Sequence, residues 1–463
     1  MSNSDAVEAF LKATKEQGCP TVNTQPKLDV DLYIQNYAGR TRFDRLIFIG
    51  KSCKPLCVEA LKAAVVEAKQ GKDVTRYKEA WSCLRLAAPD EPEAVRDEDW
   101  IQSREAENTH ETNRLENELR QYRNNLIKES IRMGHEDLGT HFEAMGKLRE
   151  AAESYGKMRQ DVTSTKHIVD CSQRLIGVAL QRRDWTGVIN QANKITSVNA
   201  DKEQTDLHAY LLVALGIGQL GHKKYESALN YFLQLDSKTP PETYNEVISP
   251  NDIALYGTLL SLASLDKKDI QHRVLDNAGF RPFLEHEPHA RKAINLYLNG
   301  RYPDCLAMLE SIKPDALLDI YFSQHLETIY SRIRQKCIKA YFFPFSCVSL
   351  DTLHAAFGGP DHSLEHELVD MIRNGSLKAR IDAKEKVLVA VQPEPRLEMQ
   401  QKALNIARKY EDDATERLRR INLIAASLDI SQDKKLGGAD QHVNYPLDTT
   451  TMTMGELNPV PTQ

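Results

Sequence analysis

"DLGTHFEAMGKLREAAESYGKM", residues 137–158, decides the fold. It places Leu138, Gly139, Phe142, Gly146, Leu148, Ala151 and Tyr155 where a tetratricopeptide-type helix pair puts its packing residues. The reason is steric. Small residues such as Gly139 and Ala151 let two helices approach closely, and large ones such as Phe142 and Tyr155 fill the gap beside them. The template recurs in "ALGIGQLGHKKYESALNYFLQLDSKTP" through Leu215, Gly216, Tyr225, Ala228, Phe232 and Pro240. It recurs again in "LYLNGRYPDCLAMLESI" through Gly300, Tyr302, Cys305 and Leu309, and more weakly around Trp185. Taking Leu148, Trp185, Tyr225 and Tyr302 as equivalent, the steps are 37, 40 and 77 residues, which leaves room for one degenerate unit near residue 263. Such hairpins bury their apolar faces only by stacking on neighbours, and the usual product is a curved protein-binding solenoid.

Working outward, apolar residues recur at helical spacing from residue 28 to about 340. Residues 1–27 read as a flexible N-terminal arm, and 28–133 as a helical segment. "PDEPEAVRDEDW" (89–100) interrupts it, and a long polar helix then runs from about 101 to 133, stopped by Gly134. Leu115, Leu119, Tyr122 and Leu126 give that helix one narrow packing stripe. Residues 134–340 carry the repeats.

The texture changes at residue 341. "CVSLDTLHAAFG" predicts a short helix opened by Ser349 and ended by Gly358. "DHSLEHELVDMIRNG" predicts a second, with Ser363 as N-cap and Gly375 as stop. "LKARID" sets Leu377, Ala379 and Ile381 on one face at period two, and "VLVAV" (387–391) follows as a β-branched run with Val387, Val389 and Val391 on one face. Two short helices and a hairpin outline a winged helix over 341–392. A last helix follows, within a segment spanning 393–430. On it Leu404, Ala407, Ala414, Leu418, Ile421, Ala425 and Leu428 keep a heptad spacing broken only by Glu411, a stripe that needs partner helices. The polar residues 431–463 read as a disordered tail. The fold class expected is all-α dominated: a TPR-like solenoid, a winged helix and a C-terminal bundle helix.

The bulk composition agrees. The 463 residues are 41% hydrophobic and 27% charged, with a formal net charge of -6. No apolar stretch approaches the roughly 20 residues needed to span a bilayer, and the N-terminus lacks an apolar signal core. The eight cysteines show no zinc-type spacing, Cys53 and Cys57 being four apart as on a helix. Free buried thiols imply a reducing compartment, hence a nuclear and cytoplasmic location.

Catalytic constellations are missing. "RLIFIGKSCK" (45–54) resembles the end of a phosphate loop, but Arg45 stands where the first glycine of G-x-x-x-x-G-K-[ST] should be. The expected alternative is a buried patch of Leu46, Phe48 and Ile49, stopped by Gly50, with Lys51 and Lys54 solvated. "HEDLGTH" is not H-E-x-x-H, no H-x-H with a downstream aspartate is present, and no G-x-S-x-G occurs. His286 and His289 are separated by Pro288, without a third ligand nearby. No catalytic residue, cofactor or metal site is expected, and the chain reads as a non-enzyme. The second winged-helix helix carries Glu365, Glu367 and Asp370 against Arg373, which would repel phosphates, so nucleic acid is not an expected partner. Edge-strand pairing with another protein is the alternative use of the hairpin.

A helical-repeat solenoid running into a winged helix resembles the PCI family, and within it the first-subunit family of the COP-nine signalosome. The stretches that carry the likeness are "YAGRTRFDRLIFIGKSCKPLCVEALKAAV" (37–65), the segments 126–169 and 247–267, "LLDIYFSQHLETIYSRIRQKCIKAYFFPF" (317–345) and "MIRNGSLKARIDAKEKVLVA" (371–390). The resemblance spans about residues 30 to 430, and the proteasome-lid paralogue is more distantly similar. It implies a non-catalytic scaffold of a complex that removes a Nedd8-type modifier from cullins, with catalysis in a separate JAMM metalloprotease subunit. The implied partners are other PCI subunits, met through the winged helix and the last helix, and cullin-RING ligases as substrates.

Overall fold

The computed structural model describes residues 3–162, 164–198, 205–358, 364–391 and 395–426. Helices dominate, and the described strands form one three-stranded sheet.

Five helices build the N-terminal layer: α1 (Asn3–Glu16), α2 (Val30–Gln35), α3 (Arg40–Ser52), α4 (Cys57–Gln70) and α5 (Val74–Ala87). The expected flexible arm is instead structured. Val7, Phe10, Leu11 and Thr14 recur at helical spacing, are all buried, and the three apolar ones share a cluster with Phe43, Leu61 and Tyr77. Val22 is pinned by backbone bonds to Ser52 (2.8 Å) and Lys54 (2.9 Å). The "GKS" tripeptide lies inside α3, so Gly50 does not stop the element. A Cβ there would meet Leu61 at 2.6 Å. Lys51 and Lys54 are paired with Glu79 and Glu8, and Phe48 is half-buried. Cys53 sits in extended backbone after α3 and Cys57 opens α4, so the two share no helix.

The long polar helix is α6 (Glu98–Asn124), and it ends nine residues earlier than expected. Leu126 adopts φ 57° and breaks it, leaving its own side chain exposed. Gly134 lies within α7 (Lys128–Ala144), where its missing side chain admits Leu119 and Tyr122 of α6. A close approach between helices, not a stop, explains this glycine.

The repeats follow as α7 with α8 (Leu148–Met158), α9 (Thr165–Gln181) with α10 (Trp185–Val198), α11 (Thr205–Gly221) with α12 (Tyr225–Phe232), and, further on, α16 (Pro288–Leu298) with α17 (Tyr302–Ala316). The degenerate unit is α13 (Pro250–Ser264), followed by the irregular segment that holds α14 (Lys267–Ile270) and α15 (Phe283–His286). The steric logic holds in two hairpins: a Cβ on Gly139 would lie 2.4 Å from Tyr155, and one on Gly216 would lie 2.7 Å from Phe232. All four hairpin turns close alike. The residue two before the helix start bonds three residues back, as Gly146 to Glu143 and Lys223 to Leu220, and the next bonds five back, as Lys147 to Phe142 and Lys224 to Gln219. This is the Schellman pattern, with a left-handed residue at Gly146, Arg183, Lys223 and Gly300. The second residue of each turn is also the cap position of the following helix.

After α18 (Ser323–Phe342) comes the winged helix: β1 (Cys347–Ser349), α19 (Leu350–Phe357), α20 (Leu364–Arg373), β2 (Ala379–Asp382) and β3 (Val387–Ala390). Ser349 caps α19 by accepting from the Thr352 N–H at 3.2 Å, and Gly375 ends α20 at φ 68°. The predicted cap Ser363 lies outside the described residues. The strand order is β1-β3-β2, both pairings antiparallel. One apolar core runs without a break from Val169 in α9 to Leu388 in β3, so the solenoid and winged helix share it.

Candidate interaction surfaces

A buried ionic joint fixes the N-terminal layer on the repeats. Arg45 of α3 is 0% exposed. Its guanidinium donates to Asp252 (2.9 Å), to Asp319 (2.8 Å) and to the Tyr33 hydroxyl, and lies 4.0 Å from the centre of the Tyr37 ring. Tyr37 donates to Asp252 (2.8 Å) and Tyr256 to Asp319 (2.7 Å). Both carboxylates have local duties as well. Asp252 completes a capping box with Ser249 at the start of α13, and Asp319 accepts from the Phe322 N–H ahead of α18 (2.7 Å). Burial pushes the Tyr37 and Tyr256 hydroxyls well up, so both keep their protons and donate. Burial also raises the Asp252 carboxyl, against the pull of Arg45. Two carboxylates bracketing one guanidinium satisfy a charge that the core could not otherwise hold. The joint unites three of the stretches that carried the family likeness, a convergence no local pattern announces.

The winged-helix candidates divide. Leu377 and Ala379 are buried and Ile381 packs against the core, so these three face inward. Val387 is half-buried, while Val389 (40% exposed) and Val391 are exposed. Val389 lies opposite Cys347 on one side and Arg380 on the other, because β3 is the central strand. The open edges therefore belong to β1 and β2, not to the "VLVAV" run. Sequence reasoning missed Phe343 and Phe345, exposed just before β1; the aromatic run "FFPF" around Pro344 was the available signal. On α20, Glu367 is half-buried and pairs with Arg334 of α18 at 2.8 Å. Glu365, Asp370 and Arg373 are exposed.

The last helix, α21, is continuous over Pro395–Ala425. Leu404, Ala407, Leu418 and Ile421 are exposed and Ala414 half-buried, while Leu428 lies outside the described residues. Met399, Ile406, Tyr410 and Ile424 are exposed too, beside the predicted seam. At about 100° per residue these positions widen the apolar arc to roughly half the helix circumference. That width suits contact with two or more helices rather than one.

Among the described residues no group of three His, Cys, Asp or Glu is placed to hold a metal ion, and no helix is long and apolar enough to cross a membrane.

Stacked hairpins flowing into a winged helix define a PCI-type chain, and the PCI domain pattern matches residues 309–391. The pattern described as 26S proteasome subunit RPN7 matches residues 97–273. Relatives separate the two branches. COP9 signalosome complex subunit 1 of Neurospora crassa is 48% identical over 89% of this chain and 93% of its own length. That of Emericella nidulans is 42% identical over 91% and 86%. The 26S proteasome non-ATPase regulatory subunit 6 of Oryza sativa reaches 22% over 62% and 73%. The chain belongs to the COP9 signalosome complex subunit 1 family.

Proposed function

We propose that the chain is a non-catalytic scaffold of a signalosome complex that removes a Nedd8-type modifier from cullins and so regulates cullin-RING ubiquitin ligases. The observation that carries this is the similarity, along nearly the whole length, to proteins named as subunit 1 of that complex. The open edges of β1 and β2 would pair with neighbouring PCI subunits, and α21 would enter a bundle of helices from several subunits. Catalysis would rest with a zinc-dependent JAMM subunit. A nuclear and cytoplasmic location fits such a role. Affinity purification from the source cells, with mass spectrometry of what accompanies the chain, tests the proposal. Recovery of a JAMM metalloprotease and further PCI subunits is expected. Proteasome base subunits in their place would sink it in favour of the lid paralogue.

A further inference from the structure

Six basic side chains stand along the turns of three consecutive hairpins: Lys147 and Arg149, Arg182 and Arg183, Lys223 and Lys224. All are exposed, and none forms an ion pair with a described residue. Bases nearby are paired: Arg40 with Asp73, Arg76 with Asp44, Arg174 with Glu136. The three turns are neighbours. Gln181 at the end of α9 donates to Glu143 at the end of α7 (2.7 Å), and the Trp185 ring at the start of α10 lies against Gly221 at the end of α11.

Two of these bases stand where one helix ends and the next begins. Lys147 and Lys224 occupy the cap positions of α8 and α12, and neither makes a side-chain cap bond. A helix start already carries partial positive charge and unpaired N–H groups, so a base there is opposed and an Asp or Ser favoured. The middle turn uses that option, with Asp184 accepting from the Gly187 N–H at 3.0 Å. Each turn also holds the C-terminal end of α7, α9 or α11, whose opposite partial charge offsets that of the following helix start, so the positive potential along this edge comes from the side chains. The acids interspersed are Glu150, Asp184 and Glu226; Asp73, paired with Arg40, lies against Gly146 of the first turn, Glu143 beside it accepts from Gln181, and Asp44 lies within electrostatic reach of Arg183 while pairing with Arg76.

We propose that this edge docks an acidic, extended segment of a protein partner, whose carboxylates meet one turn after another. A continuous phosphate backbone fits less well. None of the three turns offers an exposed aromatic ring on which the bases of a nucleic acid could stack beside its phosphates. The inference is independent of the signalosome assignment.

The test uses the full chain and a labelled polyglutamate peptide of about 20 residues, followed by fluorescence anisotropy. Binding that weakens with added salt is expected. The triple variant Lys147→Glu, Arg182→Glu, Lys224→Glu should lose roughly tenfold in affinity or more, since three exposed attractions become repulsions. Its circular dichroism should be unchanged. Lys12→Glu, Lys268→Glu, Lys292→Glu makes the same change in net charge elsewhere and should bind like the parent. Absent binding, or equal loss in the control variant, overturns the proposal. An oligonucleotide of matched charge that binds as tightly as the peptide would also overturn it.

Discussion

Arg45 is fully buried, and two buried carboxylates answer its charge. Its bulk rules out a phosphate loop, yet its role is to hold α3 to carboxylates 207 and 274 residues away. Replacing it with leucine strands two buried acids. Arg45→Leu should therefore cost about 3–5 kcal/mol, read as a fall in the denaturant midpoint. Adding Asp252→Asn and Asp319→Asn should recover part of that loss, because asparagine keeps the capping oxygens without the charge. If the triple variant were no better than Arg45→Leu, the joint would owe its strength to packing around the ring of Tyr37. Nothing near Arg45 in sequence names its partners, so this part of the molecule was legible only in three dimensions.

At the scale of elements, the hairpins were readable because their packing pairs are regular. Gly139 with Tyr155 and Gly216 with Phe232 are both 16 residues apart. The turns were less so. Gly146 and Gly300 signal a left-handed residue, but Leu126, Arg183 and Lys223 take the same conformation without any glycine, at about 1–2 kcal/mol of local strain each. That silence let α6 seem to run on to residue 133. The sheet order was hidden too, because β1 lies in a segment too short to show a period. The α6–α7 contact is also where pH should act. His135 meets Arg123 at 3.1 Å and His141 meets Thr112 at 3.0 Å, and burial lowers both imidazoles below the ordinary value. Unfolded, each takes a proton near pH 6.5; folded, each resists it. Stability from this pair is thus complete above about pH 6.5 and lost as the pH falls further. The urea midpoint should drop between pH 7.5 and 5.5, and the drop should shrink in His135→Gln, His141→Gln. An unchanged drop in that variant would assign the effect to other groups.

The whole molecule joins a shared solenoid and winged-helix core, running from Val169 to Leu388, to a separate N-terminal core between Val7 and Ile101. In the proposed function its partners would be met through the open sheet edges and α21. Leu418→Asp places a charge in the apolar arc of α21, where Leu418 is 61% exposed in the isolated chain. Once packed in a helix bundle, that charge should cost several kcal/mol. The variant should fold normally by circular dichroism yet fail to co-purify with other PCI subunits. Normal incorporation would show that this arc is not an interface. The joint at Arg45 has a last consequence, in time. At about 5–20 residues per second, a ribosome needs on the order of 15–55 s after making Arg45 to deliver Asp319. Asp252 emerges 207 residues after Arg45 and Asp319 274 after it, so the guanidinium has neither carboxylate to meet for most of that interval and Asp252 alone for the rest. The first five helices must gather as a provisional layer, with a cation at its heart still facing water, and synthesis of the far end of the solenoid is what closes it.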